Sequence, residues 1–400
     1  MHPDTMRFID RWVGIPLCFI TSLLLWKKNK TGSSKKVADT IVFIGIAEIG
    51  ALVVAYPAIQ EARKQNPNSR ICFMTAPAGK QTLELMGFDE KDILLIRTSS
   101  IQNILSDIIK LRNTFKKLSV SAVVLEPFAR FSTLVAAWIG ASKRIGCHRF
   151  LAEGVYLGNL LSHRLVYNPH LHASQTYFAL AKLLEKPESV EPSLKEAVVS
   201  QIKNRLKIEI PENEQQTLKQ YLQGEISDYS LKKIVLLNAN ASDIVPLRKW
   251  SLDNFVELGK RLLENSEITV VLTGSQEEQE ACADLALKID PDRVINFAGK
   301  TTFKELITLY SFSDLLVTND SGPVHFASTT NIPVIALFGP ETPKIFGPMS
   351  PHAKVISLGL ACSPCISVFN QKKSSCTDNQ CMKQITVEMV IQETQNILRK

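Results

Sequence analysis

Short apolar runs alternate with helical patterns in two long series, and this alternation limits the fold more than any other feature. The apolar runs predict strands at residues 40–46, 70–75, 92–96, 121–125, 233–238, 267–273, 294–297, 314–318 and 333–338. The intervening patterns predict helices at residues 50–64, 80–86, 101–115, 131–139, 252–263, 277–288, 303–312, 323–329 and 387–398. Strands that alternate with helices form parallel sheets with helices on both faces.

The alternation stops between residues 172 and 230, where the chain is charged, helical in pattern and interrupted by prolines. We therefore predict an α/β protein with two doubly wound, Rossmann-like domains. The predicted division is an N-terminal segment at residues 1–36, a first domain with its helical connection at 37–230, and a second domain at 231–400. Such halves are expected to bind a ligand in a cleft at the carboxyl ends of their strands.

The composition is that of a globular protein and argues against nucleic acid as a partner. Of its 400 residues, 45% are hydrophobic and 21% are charged, with a formal net charge of +7. No long basic block with interleaved aromatic residues occurs, so nucleic acid is not expected as a partner. A mild positive balance suits phosphates, nucleotides or an anionic membrane face.

Residues 12–26 form an apolar, uncharged segment near the N-terminus. Arg7 and Arg11 precede it, and lysines follow at positions 27, 28, 30, 35 and 36. The segment is shorter than the ~20 residues that a crossing helix needs. We expect an apolar anchor helix that lies in a membrane interface or dips into it. The alternative is a buried helix packed on the first domain.

Residues 320–325, Asp-Ser-Gly-Pro-Val-His, follow a predicted strand directly and begin a helix. Ser321 or Gly322 is expected to cap this helix, whose first amide groups and dipole suit a phosphate. His325 lies about one turn further on, and Asp320 is placed to bind hydroxyl groups or to orient the loop. The alternative is that Asp320 and Ser321 only cap the helix.

Residues 319–343 resemble the signature of glycosyltransferase family 9, the heptosyltransferase family of lipopolysaccharide core assembly. The family's Asp-(Ser/Thr)-Gly-x-x-His is matched by Asp320, Ser321, Gly322 and His325. A second family motif, Phe-Gly-Pro-x-Thr, is matched at residues 338–342 and ends at Thr342. The resemblance covers the chain from about residue 38 onward. It implies the two-domain GT-B fold, inversion at the anomeric carbon without a metal, and binding of a nucleoside diphosphate sugar by these residues.

Other donor contacts follow from the same resemblance. Asn240 lies in the loop after the first strand of the second half, and Arg248 or Lys249 stands before a tryptophan, where a cation would neutralise the leaving diphosphate. Gln276 is expected beside the ribose. The alternatives are a solvated basic pair at 248–249 and an ordinary helix start at 275–277.

The first half is expected to supply the acceptor site and the general base. The family has Gly-Asp in its first loop, but here Ala51 follows Gly50. Alanine cannot take a proton, so Glu48 on the same loop and Glu126 after the strand at 121–125 are the candidate bases. The alternatives are that Glu48 only favours a helix start and that Glu126 is an ordinary loop residue.

Basic side chains near the expected acceptor face are Arg130, Lys143 and Arg144. They would suit an acidic, lipid-linked saccharide, and the alternative for each is solvated surface charge.

A late group of cysteines has the spacing C-x2-C-x10-C-x4-C. Its members are Cys362, Cys365, Cys376 and Cys381. Four such ligands could hold a structural zinc ion. Disulfides or free thiols are the alternatives, and a catalytic role is not expected.

The sequence thus predicts an inverting glycosyltransferase on the cytoplasmic side of a bacterial inner membrane. It would move a sugar, with ADP-heptose as the donor that the resemblance implies, to a lipopolysaccharide-type or other lipid-linked saccharide, without a cofactor. One alternative is a non-catalytic relative that binds a nucleotide sugar or glycan and has lost its base at Ala51. A second alternative, a nucleotide-sugar epimerase, fits the lysine-flanked apolar segment less well.

Overall fold

The computed structural model describes residues 8–29, 38–150, 155–188, 194–198, 205–225, 232–241 and 245–399. The chain divides into two compact units. The first unit comprises Met1–Asn204 and Val368–Gln371, and the second comprises Arg205–Ser367 and Lys372–Lys400.

The first unit thus ends at residue 204 in its main segment, whereas the sequence predicted a domain boundary at residue 230. The guanidinium group of Arg205 donates to the carbonyl oxygens of Ser328 and Thr330. The Ile208 amide donates to the Thr329 carbonyl oxygen over 2.9 Å. These bonds join the segment after residue 204 to the second unit, a long-range pairing that a charged helical pattern does not reveal.

The first unit contains a sheet of six parallel strands in the order β3-β2-β1-β4-β5-β6. Its strands are β1 Thr40–Ile44, β2 Arg70–Thr75, β3 Ile93–Leu95, β4 Val120–Val124, β5 Lys143–His148 and β6 His163–Val166. Its helices are α1 Ile15–Asn29, α2 Ile49–Val54, α3 Tyr56–Gln65, α4 Lys80–Leu85, α5 Ile101–Phe115, α6 Arg130–Trp138 and α7 Ala173–Lys182. Strands β5 and β6 are additions to the predicted set.

The second unit repeats this plan with six parallel strands in the order β12-β11-β10-β7-β8-β9. Its strands are β7 Lys233–Asn238, β8 Ile268–Leu272, β9 Val294–Asn296, β10 Leu315–Asn319, β11 Val334–Leu337 and β12 Ala353–Ile356. Its helices are α8 Glu212–Glu225, α9 Leu252–Leu263, α10 Gln279–Ile289, α11 Phe303–Phe312, α12 Gly322–Ala327, α13 Pro343–Phe346, α14 Gln380–Lys383 and α15 Val387–Leu398. The predicted parallel α/β architecture is confirmed.

The middle of each sheet is buried between helices because its central strands consist mainly of apolar residues. Strands β1, β4, β8, β10 and β11 have no exposed residue. In the first unit, the side chains of α5 and α6 pack on β1 and β4 in one core. In the second unit, α9, α10 and α15 pack on β7, β8 and β10. This burial supplies most of the free energy that holds each unit together.

The order of each sheet reverses direction between two neighbouring strands. In the first unit these are β1 and β4, and in the second they are β7 and β10. Connections leave such a pair towards opposite faces, which opens a crevice at the carboxyl ends of the two strands. Ligands of doubly wound sheets bind at this point, so the loops that follow these four strands are the first places to look for a site.

The apolar N-terminal segment forms a helix that packs on the first unit. A short π-helical turn, Asp10–Gly14, leads into α1. The inner face of α1 contributes Cys18 to a small core with Leu134 and Ala137 of α6. Within the described ranges, no helix combines the length and apolar character needed to cross a bilayer. The packing agrees with a helix held on the domain, while its role as a membrane anchor stays a prediction.

Candidate functional site

The turn after β10 lies at the switch point of the second sheet. Strand β10 is fully buried up to Asn319, and Asp320 continues its pairing by donating its amide to the Leu337 carbonyl oxygen over 3.0 Å. Ser321 is extended and α12 begins at Gly322, as the turn chemistry predicts. The hydroxyl of Ser321 donates to the Asn319 carbonyl oxygen over 3.3 Å and makes no capping bond. A capping hydrogen bond therefore does not explain why a serine occupies position 321.

A buried amide, Asn319, ties this turn to the loops beside it. Its side-chain NH2 donates to the carbonyl oxygen of Ala239 over 2.9 Å, at the end of β7. Its side-chain oxygen accepts the amide N–H of Trp250 over 3.0 Å. Trp250 is itself buried in the core of the second unit. Asn319 thus holds the residues just before Trp250, including Arg248, against the turn.

Arg248 forms ion pairs with two buried carboxylates. Its Nε lies 3.3 Å from Asp320 Oδ2, and its Nη2 lies 3.4 Å from Glu341 Oε2. The side chain of Arg248 is mostly buried, whereas the alternative for 248–249 was a solvated pair. A guanidinium group fixed in this way is a preorganised donor for an anion such as a diphosphate. Sequence reasoning missed Glu341, since a lone glutamate in a turn gives no local signal of burial.

Burial raises the pKa of Glu341 to about 7, although Lys372 and Arg248 oppose the shift. The charge of Asp320 adds to the rise. Near neutral pH, Glu341 is therefore divided between its acid and its carboxylate, and the acid form removes one negative charge from beside Arg248. This group can adjust the charge of the pocket to an incoming anion.

We expect the pH dependence of stability to report this residue. An unfolded glutamate ionises near its ordinary pKa of 4.5, but the folded one stays protonated to about pH 7. The contribution of Glu341 to the free energy of unfolding is therefore largest below pH 4.5 and is lost as the pH rises to about 7. Urea unfolding should show a fall of about 2–3 kcal/mol between pH 5 and pH 8.

The Glu341→Gln variant should not show the decrease in the free energy of unfolding that Glu341 causes between pH 5 and pH 8. Glu388→Gln, which changes an exposed carboxylate of the same unit, should keep it. Parallel pH profiles for the wild type and Glu341→Gln would contradict the assignment.

The other predicted donor residues have modest local contacts. Asn240 donates its side-chain amide to the Cys282 sulfur over 3.3 Å, and Gln276 donates to the Gln279 side chain over 2.6 Å. Thr342 caps α13 by accepting the Lys344 amide over 3.3 Å. His325 lies half-buried in the last turn of α12, and Lys249 is half-buried. The donor roles of these residues stay predictions.

The switch point of the first sheet carries the candidate base. Glu48 follows β1, is exposed, and is the extended residue before α2. Ala51, which stands where the family has aspartate, is the third residue of that helix and donates its amide to the Glu48 carbonyl oxygen over 3.2 Å. Glu48 and Ala51 therefore lie on the same turn at the start of α2. The use of Glu48 as the base in place of an aspartate at 51 stays a prediction.

Glu126, the second candidate base, follows β4 and is fully engaged with the protein. Its Oε1 accepts the amides of Ile46 and Ala47 over 2.9 and 2.5 Å, and its Oε2 accepts the Ser132 hydroxyl. Burial and, more weakly, the charge of Glu48 raise its pKa. Nearby Phe128 has a φ of 60°, which marks a constrained turn. These contacts make Glu126 a residue that positions the loop to Glu48, while its use as a base stays a prediction.

Two of the predicted acceptor residues, Arg130 and Arg144, are buried in the first unit, and the third, Lys143, is half-buried. Arg130 is only 4% exposed and pairs with Asp10, and Arg144 donates to backbone carbonyl oxygens, including that of Ala141 over 2.8 Å. Lys143 donates to the Leu184 carbonyl oxygen over 2.6 Å. Neither solvated surface charge nor an open acceptor face describes Arg130 and Arg144. Their part in acceptor binding stays a prediction that the burial does not favour.

The pair between Asp10 and Arg130 should contribute strongly to stability. The Asp10→Ala variant leaves a buried guanidinium group with bonds to the carbonyl oxygens of Tyr156 and residue 10 but without its carboxylate partner. We expect the free energy of unfolding to fall by about 3 kcal/mol, measured by urea denaturation. The exposed pair of Asp378 with Lys383 is the control, and Asp378→Ala should leave the free energy of unfolding nearly unchanged. Equal losses in the two variants would contradict a structural role for the Asp10–Arg130 pair.

The late cysteines are not arranged around a common metal position. In the described part of the chain, no group of three or more His, Cys, Asp or Glu side chains is placed to hold an ion. Cys362 and Cys376 are exposed, and Cys365 contacts the Ser374 hydroxyl at 3.3 Å. Cys381 is buried. None of these four cysteines forms a disulfide, and their described positions do not support the structural zinc site.

Comparison with known proteins agrees with the fold and with the family that the sequence resembles. Residues 109–375 match the family model described as glycosyltransferase family 9 (heptosyltransferase). The chain is 34% identical over 174 residues to the lipooligosaccharide heptosyltransferase 2 of Campylobacter jejuni, which is 42% of this chain and 52% of that protein. It is 28% identical over 180 residues to the lipopolysaccharide heptosyltransferase 2 of Salmonella typhimurium, which is 43% of this chain and 49% of that protein. The chain thus spans about half the length of these curated relatives.

Two solved structures share the fold. The Escherichia coli ADP-heptose lps heptosyltransferase II superposes with a TM-score of 0.67 at 23% identity and covers 90% of this chain and 98% of its own. An E. coli heptosyltransferase solved with ADP has a TM-score of 0.61 at 14% identity, covering 89% and 99%. At these identities the likeness shows the fold alone. Because the family model spans more than half of the 400 residues, the chain belongs to glycosyltransferase family 9.

Proposed function

We propose that this chain is an inverting glycosyltransferase that moves a sugar from a nucleoside diphosphate to a lipid-linked saccharide. The observation that carries the proposal is the pairing of Arg248 with Asp320 beside the turn after β10. Relatives in the family are named heptosyltransferases, and a solved neighbour is named for ADP-heptose. ADP-heptose is therefore the donor to test first, with a lipopolysaccharide-type saccharide as acceptor.

The donor role falls to the second unit. Arg248 would donate charge-assisted hydrogen bonds to the diphosphate, and their strength would grow as negative charge develops on the leaving group. Asp320 fixes the guanidinium group and is placed to accept from a sugar or ribose hydroxyl. Release of Arg248 from Glu341 costs little near neutral pH, since the pKa of that carboxyl is raised to about 7 by burial.

The proton of the acceptor hydroxyl would go to Glu48 in the first unit. The acceptor oxygen then forms a bond to the anomeric carbon, and the bond from that carbon to the phosphate oxygen breaks. The electron pair leaves with ADP, and one displacement inverts the anomeric centre. This scheme uses no metal and no cofactor.

Thermal unfolding with a panel of nucleotides and nucleotide sugars tests the donor assignment. A ligand at 100 times its Kd should stabilise the folded protein by about 2.7 kcal/mol. We expect ADP-heptose and ADP to raise the Tm, and UDP and GDP sugars to raise it less. If no nucleotide sugar shifts the Tm, the proposed donor class is wrong.

A non-catalytic binding protein is the second candidate, and Ala51 is the observation that favours it. Such a protein would bind a nucleotide sugar and transfer nothing. Stabilisation by a donor, with no product from any lipid-linked acceptor, would favour this candidate over the transferase.

A further inference from the structure

The two faces of the N-terminal helical segment, residues 8–29, are the reverse of those of an ordinary surface helix. The face turned towards the first unit is mostly small or polar. Gly14 packs on Arg130, the Trp138 indole donates to the Thr21 hydroxyl over 3.2 Å, and the Asn159 amide donates to the Ser22 hydroxyl over 2.9 Å. Cys18, with the half-buried Leu17 and Leu25, adds a small apolar contact with α6. The segment is therefore fixed along the unit by polar contacts and by this small core.

The opposite face is large and apolar. We call it the apolar face, and its members are Phe8, Trp12, Val13, Ile15, Phe19, Ile20, Leu23, Leu24 and Trp26. Nine of the twenty exposed large hydrophobic side chains in the described part of the chain thus fall within residues 8–26. Folded proteins rarely leave so concentrated a patch in water unless it has a partner.

Charge and aromatic residues identify the partner. The only acidic residue of 8–29, Asp10, is bound to Arg130 on the inner side. Arg11 stacks over the Trp12 ring at 5.9 Å, and lysines occupy positions 27, 28, 30, 35 and 36 of the sequence. Tryptophan near each end of an apolar surface, with cations beside it, suits the boundary between lipid headgroups and acyl chains.

We propose that the apolar face inserts into one leaflet of an anionic bilayer and that α1 lies parallel to the membrane. The first unit covers the inner face of the helix, so only the apolar face is available to the lipid. The ion pair of Asp10 with Arg130 sets the orientation of the unit on the membrane. A lipid-linked acceptor would then be presented to the protein at the bilayer surface. Membrane binding itself does not depend on the transferase activity.

Flotation of the full chain with vesicles tests the surface. We expect binding to vesicles of phosphatidylglycerol and phosphatidylethanolamine, with weaker binding to phosphatidylcholine vesicles and at high salt. The triple variant Phe19→Gln, Leu23→Gln, Leu24→Gln changes side chains that are 54%, 47% and 64% exposed, so the fold should be kept. It should bind at least tenfold more weakly than the wild type.

A matched triple variant controls for the loss of exposed apolar area. Leu252→Gln, Leu287→Gln and Met389→Gln change three exposed side chains of the second unit and should leave vesicle binding unchanged. Thermal unfolding of both variants verifies that they are folded. Equal binding by the wild type and the triple variant of α1, or no binding by the wild type, would overturn the proposal.

Fluorescence quenching by brominated lipids tests which residues enter the bilayer. The chain has four tryptophans, and Trp12 and Trp26 lie on the apolar face whereas Trp250 is buried in the second unit. Quenching should be strong in the wild type and much weaker in the Trp12→Phe, Trp26→Phe variant, which keeps Trp138 beneath α1 and should still bind vesicles. Unchanged quenching in that variant would overturn the proposal. A second result would also overturn the proposal: the wild type does not bind vesicles but forms a detergent-sensitive dimer, and the triple variant of α1 abolishes that dimer. The partner of the apolar face would then be a second copy of the chain.

Discussion

The Glu48→Gln variant should lose at least about 100-fold in kcat while its affinity for the donor stays unchanged. Glu48 is the exposed carboxylate after β1, at the switch point of the first sheet. Glutamine keeps the size and polarity of the side chain but cannot take the acceptor proton. Steady-state transfer rates, combined with donor Kd values from calorimetry, separate the two effects.

Two further variants sharpen this result. Glu84→Gln, which changes an exposed carboxylate of α4 in the same unit, should transfer at the wild-type rate. Ala51→Asp introduced into Glu48→Gln should recover part of the lost transfer rate, because the family has its aspartate at the position of Ala51. A wild-type rate in Glu48→Gln would remove Glu48 from the mechanism and direct attention to Glu126.

The Arg248→Gln variant should raise the Kd for ADP and for the donor about 10- to 100-fold. Hydrogen bonds from a charged donor contribute about 1.5–3 kcal/mol each, and glutamine cannot replace the guanidinium group. The same change leaves Asp320 and Glu341 without their shared cation. Repulsion between these carboxylates and the diphosphate would weaken binding further. Calorimetric titration with ADP measures the effect.

Arg261→Gln is the matched control. It removes the same charge from α9 of the same unit, where Arg261 pairs with the exposed Glu388. We expect no change in the Kd for ADP. Equal affinities in Arg248→Gln and the wild type would show that the diphosphate binds elsewhere, and Lys249 would become the next residue to test.

Much of the fold could be predicted because the central parallel strands contain continuous runs of buried apolar residues. The runs within β1, β2, β7 and β10 are of this kind, although Arg70 begins β2 and Lys233 begins β7. Strand β5, in contrast, begins Lys-Arg, and its Arg144 is buried only because backbone carbonyl oxygens accept its guanidinium hydrogens. Edge strands β6 and β12 are four residues each. Such strands depend on long-range partners that a local pattern does not contain.

The candidate site was predictable only where its residues belong to a local sequence motif. Asp320 and Arg248 were identified from the motif and from the basic pair before a tryptophan, and the structure brings them together. The roles of Asn319 and Glu341 depend on loops that follow different strands. Strand order cannot be derived from the apolar pattern, so neither residue could be placed. The same holds for Arg130, whose partner Asp10 lies 120 residues away.

Transfer itself is the most direct test of the proposed function. The full chain, ADP-heptose and a heptose-deficient lipid-linked saccharide would be incubated together, and mass spectrometry would follow the acceptor. The proposal predicts one heptosyl group gained for each ADP released, with the reaction nearly abolished in Glu48→Gln. If the protein binds ADP-heptose but neither ADP nor a glycosylated product appears with any lipid-linked acceptor, the chain is a binding protein and the account of its catalysis is wrong.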